Sequence, residues 1–263
     1  MFMKVLFIGD IVGDAGRKAL RQGIPKLVEQ LKIDFVIANA ENAAGGFGIT
    51  KSVGEEIFSL GVDILTSGNH IWDKKEGIEY IAQENRLLRP ANYPEDVPGQ
   101  GSIVVNTSSG EKIAVLNISG RVFMNQADCP FKTSQKEIQR LKKQTNVIVV
   151  DFHAEATSEK SAFGWFLDGE VSAVIGTHTH VQTSDEAILP KGTAFITDAG
   201  MTGPANSIIG IKRDLIIKKF LTGMPIRFET AKEAPMLSAV VIDIDSESGR
   251  AVGIQRLQLK FPD

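Results

Sequence analysis

The chain has 263 residues, 43% of them hydrophobic and 23% charged, and a net charge of −3 at pH 7. That composition supports a packed core and excludes a mostly disordered chain; the charge excludes a global basic field for duplex DNA but leaves room for a local basic groove. A single cysteine, Cys129, excludes an intramolecular disulfide and a cysteine-built zinc site, and fits a reducing, cytoplasmic setting.

The apolar start is interrupted by Asp10 before the core of an export signal could form, so residues 4–10 read as a first strand. A helical pattern follows over 17–32. Residues 34–42 repeat the strand pattern and lead through a glycine-rich turn to a helix near 50–60. A third strand at 62–70 precedes a helix over 73–85. These are consecutive β-α-β units, which predict mainly parallel strands at the start of an α/β fold. From about residue 101 the pattern changes. Residues 102–120 predict a hairpin around Ser109-Gly110, 121–132 an irregular loop and 134–143 a polar helix, together a loop or small cap segment around 121–146. Residues 147–153, 172–180 and 193–200 are further strands with polar ends, and the chain closes in a hairpin around Glu247-Ser248-Gly249. No linker or internal repeat divides 1–263, so a single domain is expected. No apolar run reaches the length of a membrane span, so no membrane partner is expected.

The polar residues at the strand ends carry the functional signal. Asp10 ends the first strand, Glu41 and Asn42 the second, Asn69 and His70 the third. Each set falls one β-α unit after the last, and in such folds the carboxyl ends of the strands form the ligand crevice. The remaining histidines, His153, His178 and His180, also follow strand-like runs. Carboxylate, imidazole and amide oxygen together suit a transition metal. Asp10, Glu41, Asn42, Asn69, His153, His178 and His180 are too many for one tetrahedral ion and enough for two, with Glu41 shared. Only Asp10 and Glu41 bring negative charge, so two divalent ions leave the site about +2, which favours an anionic phosphoester.

The sequence also resembles a known family. The stretches G-D-I-V-G-D-A-G-R (9–17), N-A-E-N-A-A-G-G-x-G (39–48), G-N-H-x-W-D (68–73), R-P-A-N-Y-P (89–94), G-R-V-F-M (120–124), D-C-P-F (128–131), D-F-H-A-E-A-T-S-E-K (151–160) and G-T-H-T-H-V-Q-T (176–183) are similar to the YmdB family of calcineurin-like metallophosphoesterases. The resemblance runs from about residue 4 to 260. It implies a four-layer α/β/β/α sandwich with two metal ions, iron or alternatively manganese. It further implies that Asp10, Glu41, Asn42 and His180 hold one ion, that Glu41, Asn69, His153 and His178 hold the other, and that His70 is the general acid. The implied activity is hydrolysis of 2′,3′-cyclic nucleotides or another small phosphodiester, with RNA as a further partner and homo-oligomerisation left open. Most of the wider superfamily has histidine where Val12 stands and aspartate where Glu41 stands; the YmdB family shares both changes, and Asn42 replaces the missing histidine.

Blander readings exist for single residues. Asp10 could cap a helix, Asn69 could be a turn residue and His153 a satisfied core histidine. Trp72, Tyr93, Phe123 and Phe131 read as core or rim residues, with base stacking as the alternative. Two other functions compete: a phosphomonoesterase or nuclease with the same centre, and a regulatory protein that binds nucleotide or RNA without turnover.

Overall fold

Alternation along the first strand sorts its side chains into two cores. In β1 (Phe2–Ile8), Met3, Val5 and Phe7 face one way and Leu6 and Ile8 the other, all fully buried. A strand buried on both faces needs a layer on each side. The computed structural model, which describes residues 2–262, supplies both.

The chain continues through β2 (Asp10–Ile11), α1 (Gly13–Leu31), β3 (Phe35–Asn39), α2 (Lys51–Ser59), β4 (Ile64–Thr66) and α3 (Lys75–Ile81). A second series follows: β5 (Ser102–Asn106), β6 (Lys112–Ser119), α4 (Pro130–Leu141), β7 (Ile148–His153), α5 (Thr157–Phe166), β8 (Ala173–Thr177), β9 (Ala187–Ile188) and β10 (Ala194–Ile196). The end of the chain, β11 (Met201–Pro204), α6 (Arg213–Thr222), β12 (Pro235–Asp245) and β13 (Ala251–Lys260), returns mostly to the first sheet. Among the described residues that sheet has the order β2-β11-β12-β1-β3-β4, with β13 also on β12; β1, β3 and β4 run parallel, and β12 is antiparallel to β1 and β13. The second sheet has the order β5-β6-β7-β8-β10-β9, parallel from β6 through β10.

Three apolar layers join these elements. Ala19, Ile24, Ile57 and Ile81 pack from α1, α2 and α3 onto the outer face of the first sheet. Val5, Phe7, Ile37 and Ile242 of the first sheet meet Val115, Val149 and Ile175 of the second. Ile138, Leu141 and Phe163 cover the second sheet's outer face from α4 and α5. The architecture is a four-layer α/β/β/α sandwich, as the resemblance implies. Fully burying a Val, Leu, Ile or Phe side chain contributes about 1.5–3 kcal/mol, so these interfaces hold both sheets firmly. Polar groups are left to the edge where the parallel strands end. Both hairpins expected from the sequence are present, β5–β6 and β12–β13. Residues 121–129 have no regular structure, and α4 begins at Pro130, four residues earlier than its periodicity predicts, with proline at its first turn. Among the described residues no helix is long and apolar enough to cross a membrane.

Candidate metal centre

Adjacent parallel strands end side by side, so the residues that follow them meet. The backbone loop after β4 comes especially close: a Cβ on Gly68 would stand 2.1 Å from His153 Nε2 and 2.4 Å from Glu41 Oε2. Only glycine admits this approach, and it brings Asn69 and His70 against both groups. The two sheets thus share one edge site. Asp10, Glu41 and Asn69 come from the first sheet's strand ends, and His153, His178 and His180 from the second's.

Glu41 lies at the middle of it and is buried. Its Oε2 is 3.2 Å from His153 Nε2 and accepts a hydrogen bond from the His70 backbone N–H at 3.2 Å. Its Oε1 accepts from Asn42 Nδ2 at 2.9 Å. On one side, Glu41, His153 and His178 form a group whose donor atoms all lie within 4.8 Å of one another; on the other, Asp10, Glu41 and His180 do the same. Asn69 Oδ1 joins the first group, 3.1 Å from His153 Nε2. Asn42 joins the second, its Nδ2 3.3 Å from His180 Nε2. All seven expected ligands are therefore gathered, in two groups that share Glu41.

Hydrogen bonds behind the site fix which ring nitrogens face it. The Thr177 hydroxyl gives its one proton to Asp151 Oδ1 at 2.6 Å, so towards His153 Nδ1, at 3.0 Å, it can only accept. His153 therefore carries a proton on Nδ1 and turns Nε2 to Glu41 and Asn69. Asp151 is held in turn by Asn39 Nδ2 at 2.9 Å. His180 Nδ1 donates to the Ile209 carbonyl at 2.9 Å, which turns Nε2 towards Asn42 and Asp10. His178 turns Nδ1 to His153 Nε2 at 3.0 Å, and its backbone N–H donates to Asp10 Oδ2 at 3.1 Å. Both His178 and His180 hold positive φ, 98° and 66°. The strained loop is tethered by buried Lys160, which donates to the Thr177 carbonyl at 2.7 Å and to Asp198 Oδ2 at 2.6 Å; Asp198 in turn accepts from Thr179.

The resulting donor set fits a cation. Imidazole nitrogens, carboxylates and an amide oxygen converge on one place. Asp10 Oδ1 and Asn42 Oδ1 are buried without a hydrogen-bond partner among the described residues, which is costly for oxygens unless something positive comes to them. The protonation balance points the same way. Burial pushes the Asp10 carboxyl up to about 6, against the pull of His180 and His153. Burial would also raise Glu41, but His153 and the His70 N–H outweigh it and hold the group down at about 2. For His153, burial disfavours the charged form, yet Glu41, Asp10 and Asp151 push the ring up to about 9. His178 is pushed down to about 3 by burial and by His153 beside it. In the metal-free site at neutral pH a second proton, on His153 Nε2 beside Glu41, stands in for a cation among the carboxylates.

His70 sits at the rim. Its Nδ1 is 2.8 Å from Asp73 Oδ2, and its ring meets Phe47 edge-on at 5.2 Å. The cavity over the centre is about 280 Å³, walled by Glu41, His70, His178 and His180 and, on its apolar side, by Phe47 and Phe228. The aromatic residues singled out from sequence are not among its walls. Asp10 caps no helix: α1 is preceded by Val12, and no side chain caps it. Sequence reasoning passed over Asn39, Asp151 and Thr177. For Asp151 a signal existed, since it stands two residues before His153 and so shares its side of β7.

The family described as YmdB-like protein matches residues 6–257. The chain belongs to this family. As a YmdB-like protein it is 50% identical over 255 residues to the 2′,3′-cyclic-nucleotide 2′-phosphodiesterase of Bacillus subtilis, an alignment that covers 97% of this chain and 96% of that one. It is similar to a solved structure of a hypothetical protein from Thermus thermophilus (TM-score 0.92, 39% identity, covering 99% of this chain and 100% of that one). It is also similar to that of a phosphatase from Mycoplasma pneumoniae (TM-score 0.93, 35% identity, covering 100% and 95%).

Proposed function

We propose that the chain is a cytoplasmic single-domain phosphodiesterase that hydrolyses 2′,3′-cyclic nucleotides at a two-metal centre of iron or manganese. The observation that carries the reading is Glu41 standing between two convergent groups of acceptors. The B. subtilis relative's activity and the near full-length alignment support the substrate.

Asp10, Glu41, Asn42 and His180 hold one cation in this reading, and Glu41, Asn69, His153 and His178 the other. A half-turn of the Asn42 amide presents Oδ1 where Nδ2 now faces Glu41 and His180. When bound, the two ions supply positive charge for the phosphoryl oxygens and acidify a water molecule near neutral pH. Glu41 offsets the repulsion between them. Asp151 and Thr177 keep the His153 lone pair aimed into the site. Asp73 fixes His70 through Nδ1, which leaves Nε2 to give a proton to the departing ribose oxygen. Phe47 and Phe228 offer apolar surface to the nucleoside.

The test is hydrolysis of adenosine 2′,3′-cyclic phosphate and bis-p-nitrophenyl phosphate by metal-quantified protein, with and without chelator. Chelator-sensitive turnover of the cyclic nucleotide is expected. Tight nucleotide binding without turnover in fully loaded protein would overturn the assignment in favour of a sensor.

A further inference from the structure

A second cavity adjoins the one over the metal centre, and Phe47 and Phe228 wall both. It is larger, about 820 Å³. Thr230 lines it and packs closely on Gly46 of the neighbouring cavity, where a Cβ would stand 2.2 Å from Thr230 Cγ2. Lys74, four residues past His70, lines it, its side chain lying against Gly48. Lys212, Arg227 and Lys232 line the cavity as well.

The charge there is one-sided. Glu229 is the carboxylate of the lining, and it is closed onto Lys212 at 2.6 Å. Lys74, Arg227 and Lys232 make no ion pair among the described residues. Three cations beside a centre that is itself positive when loaded form a local positive field that attracts an anion. The chain as a whole is acidic, so this is a local feature. Beyond Lys212 and Lys232 the next hollow adds Arg213 but also Asp214 and Glu233, so the positive surface ends after a short stretch.

A 2′,3′-cyclic mononucleotide has one phosphate, and the metal centre takes it. Its 5′ end is an uncharged hydroxyl, which gives these cations nothing to bind. We propose that the second cavity is a subsite for the phosphate on the 5′-oxygen of the cyclic nucleotide, and that the substrate is the cyclic-phosphate end of an RNA chain. The cyclic phosphate lies at Glu41, the terminal nucleoside against Phe47 and Phe228, and the preceding phosphate among Lys74, Arg227 and Lys232. This rests on the phosphodiesterase reading of the centre and names its substrate class.

The experiment compares kcat/KM of metal-loaded protein on adenosine 2′,3′-cyclic phosphate, its 5′-phosphorylated form and a diadenylate ending in the same cyclic phosphate. Both phosphate-bearing substrates should exceed the plain nucleotide by at least about tenfold, the scale of one charge-assisted hydrogen bond, with a steeper loss in salt. In Lys74→Ala/Arg227→Ala/Lys232→Ala, the ratio of either to the plain nucleotide should fall towards one. Equal rates on all three, or an unchanged ratio in the variant, would overturn the subsite while leaving the reading of the centre intact. A gain for the 5′-phosphorylated nucleotide alone would refute the chain-end substrate. If the loaded protein hydrolyses none of the cyclic phosphates but still cleaves bis-p-nitrophenyl phosphate, the reading of the centre falls and this proposal with it.

Discussion

Thr177→Val is a near-isosteric change in β8 that removes one hydroxyl serving two buried partners. Asp151 Oδ1 loses its donor at 2.6 Å, and the His153 Nδ1–H loses its acceptor at 3.0 Å. Leaving a buried polar group unpaired costs about 1–3 kcal/mol, so the two together cost about 2–6 kcal/mol. The lower end follows if His153 responds by giving up its Nδ1 proton and keeping the one on Nε2, because Asn39 Nδ2, 3.5 Å from Nδ1, can then donate to the bare nitrogen. That escape has a functional penalty: the neutral ring then keeps its proton on Nε2, the nitrogen facing Glu41 and Asn69 that a cation needs. Loss of such a supporting partner typically weakens metal affinity about 10–100-fold. The assay is metal titration of the folded variant beside its thermal midpoint, with Thr177→Ser as the control that keeps the hydroxyl. Weakened binding in Thr177→Val and near-normal binding in Thr177→Ser are expected. Wild-type affinity in the valine variant would refute the claim that this hydroxyl sets the His153 tautomer.

Three further outcomes follow from the same geometry. Glu41→Gln should lose metal and turnover more completely than Asn42→Ala, since Glu41 serves both groups and Asn42 one; equal residual activity at full loading would show that Glu41 does not bridge. His70→Asn should keep its metal yet lose roughly 10²–10⁴-fold in turnover of the cyclic nucleotide, and less on a p-nitrophenyl ester whose leaving group needs no proton; equal losses on both would assign His70 to phosphate binding instead. Metal uptake should release protons, because the metal-free site holds one on His153 up to about pH 9 that the cation must displace. Apparent affinity should therefore rise with pH and level off near that value, and titration at pH 7.5 in buffers of different ionisation enthalpy that detects no proton release would contradict this.

The strand ends were legible in the sequence because parallel strands place successive polar termini on one edge, and all seven ligand candidates meet there. What lay outside reach has physical causes. The helix α5 was not recognised because two of its inward positions are charged. Glu159 accepts from the backbone N–H groups of Arg121 and Val122, and Lys160 holds Asp198 and the Thr177 carbonyl. Such positions break the apolar period that marks a helix. The strand β11 carries Gly203 and Pro204, residues that read as a turn. In α6 only Ile216 is buried, so its period is faint. Thr177 and Asn39 gave no signal because their roles depend on strand register: β7 and β8 pair His153 with Thr177, a relation between residues 24 apart. Phe47 and Phe228 reach one cavity from distant parts of the chain.

The placement of the centre across both sheets has a mechanical consequence. Asp10 and His178 touch although 168 residues separate them, Asn42 and His180 across 138, and Asn69 and His153 across 84. A cation seated there is a cross-link between the two halves of the chain, in a protein whose lone cysteine can form no internal one. The entropic cost of closing loops this long grows only slowly with their length, and the ion's binding energy bears on all of them at once. Parting the sheets at this edge means first letting the ion go, so a loaded molecule should resist heat and proteases longer than an empty one, whatever its catalytic state.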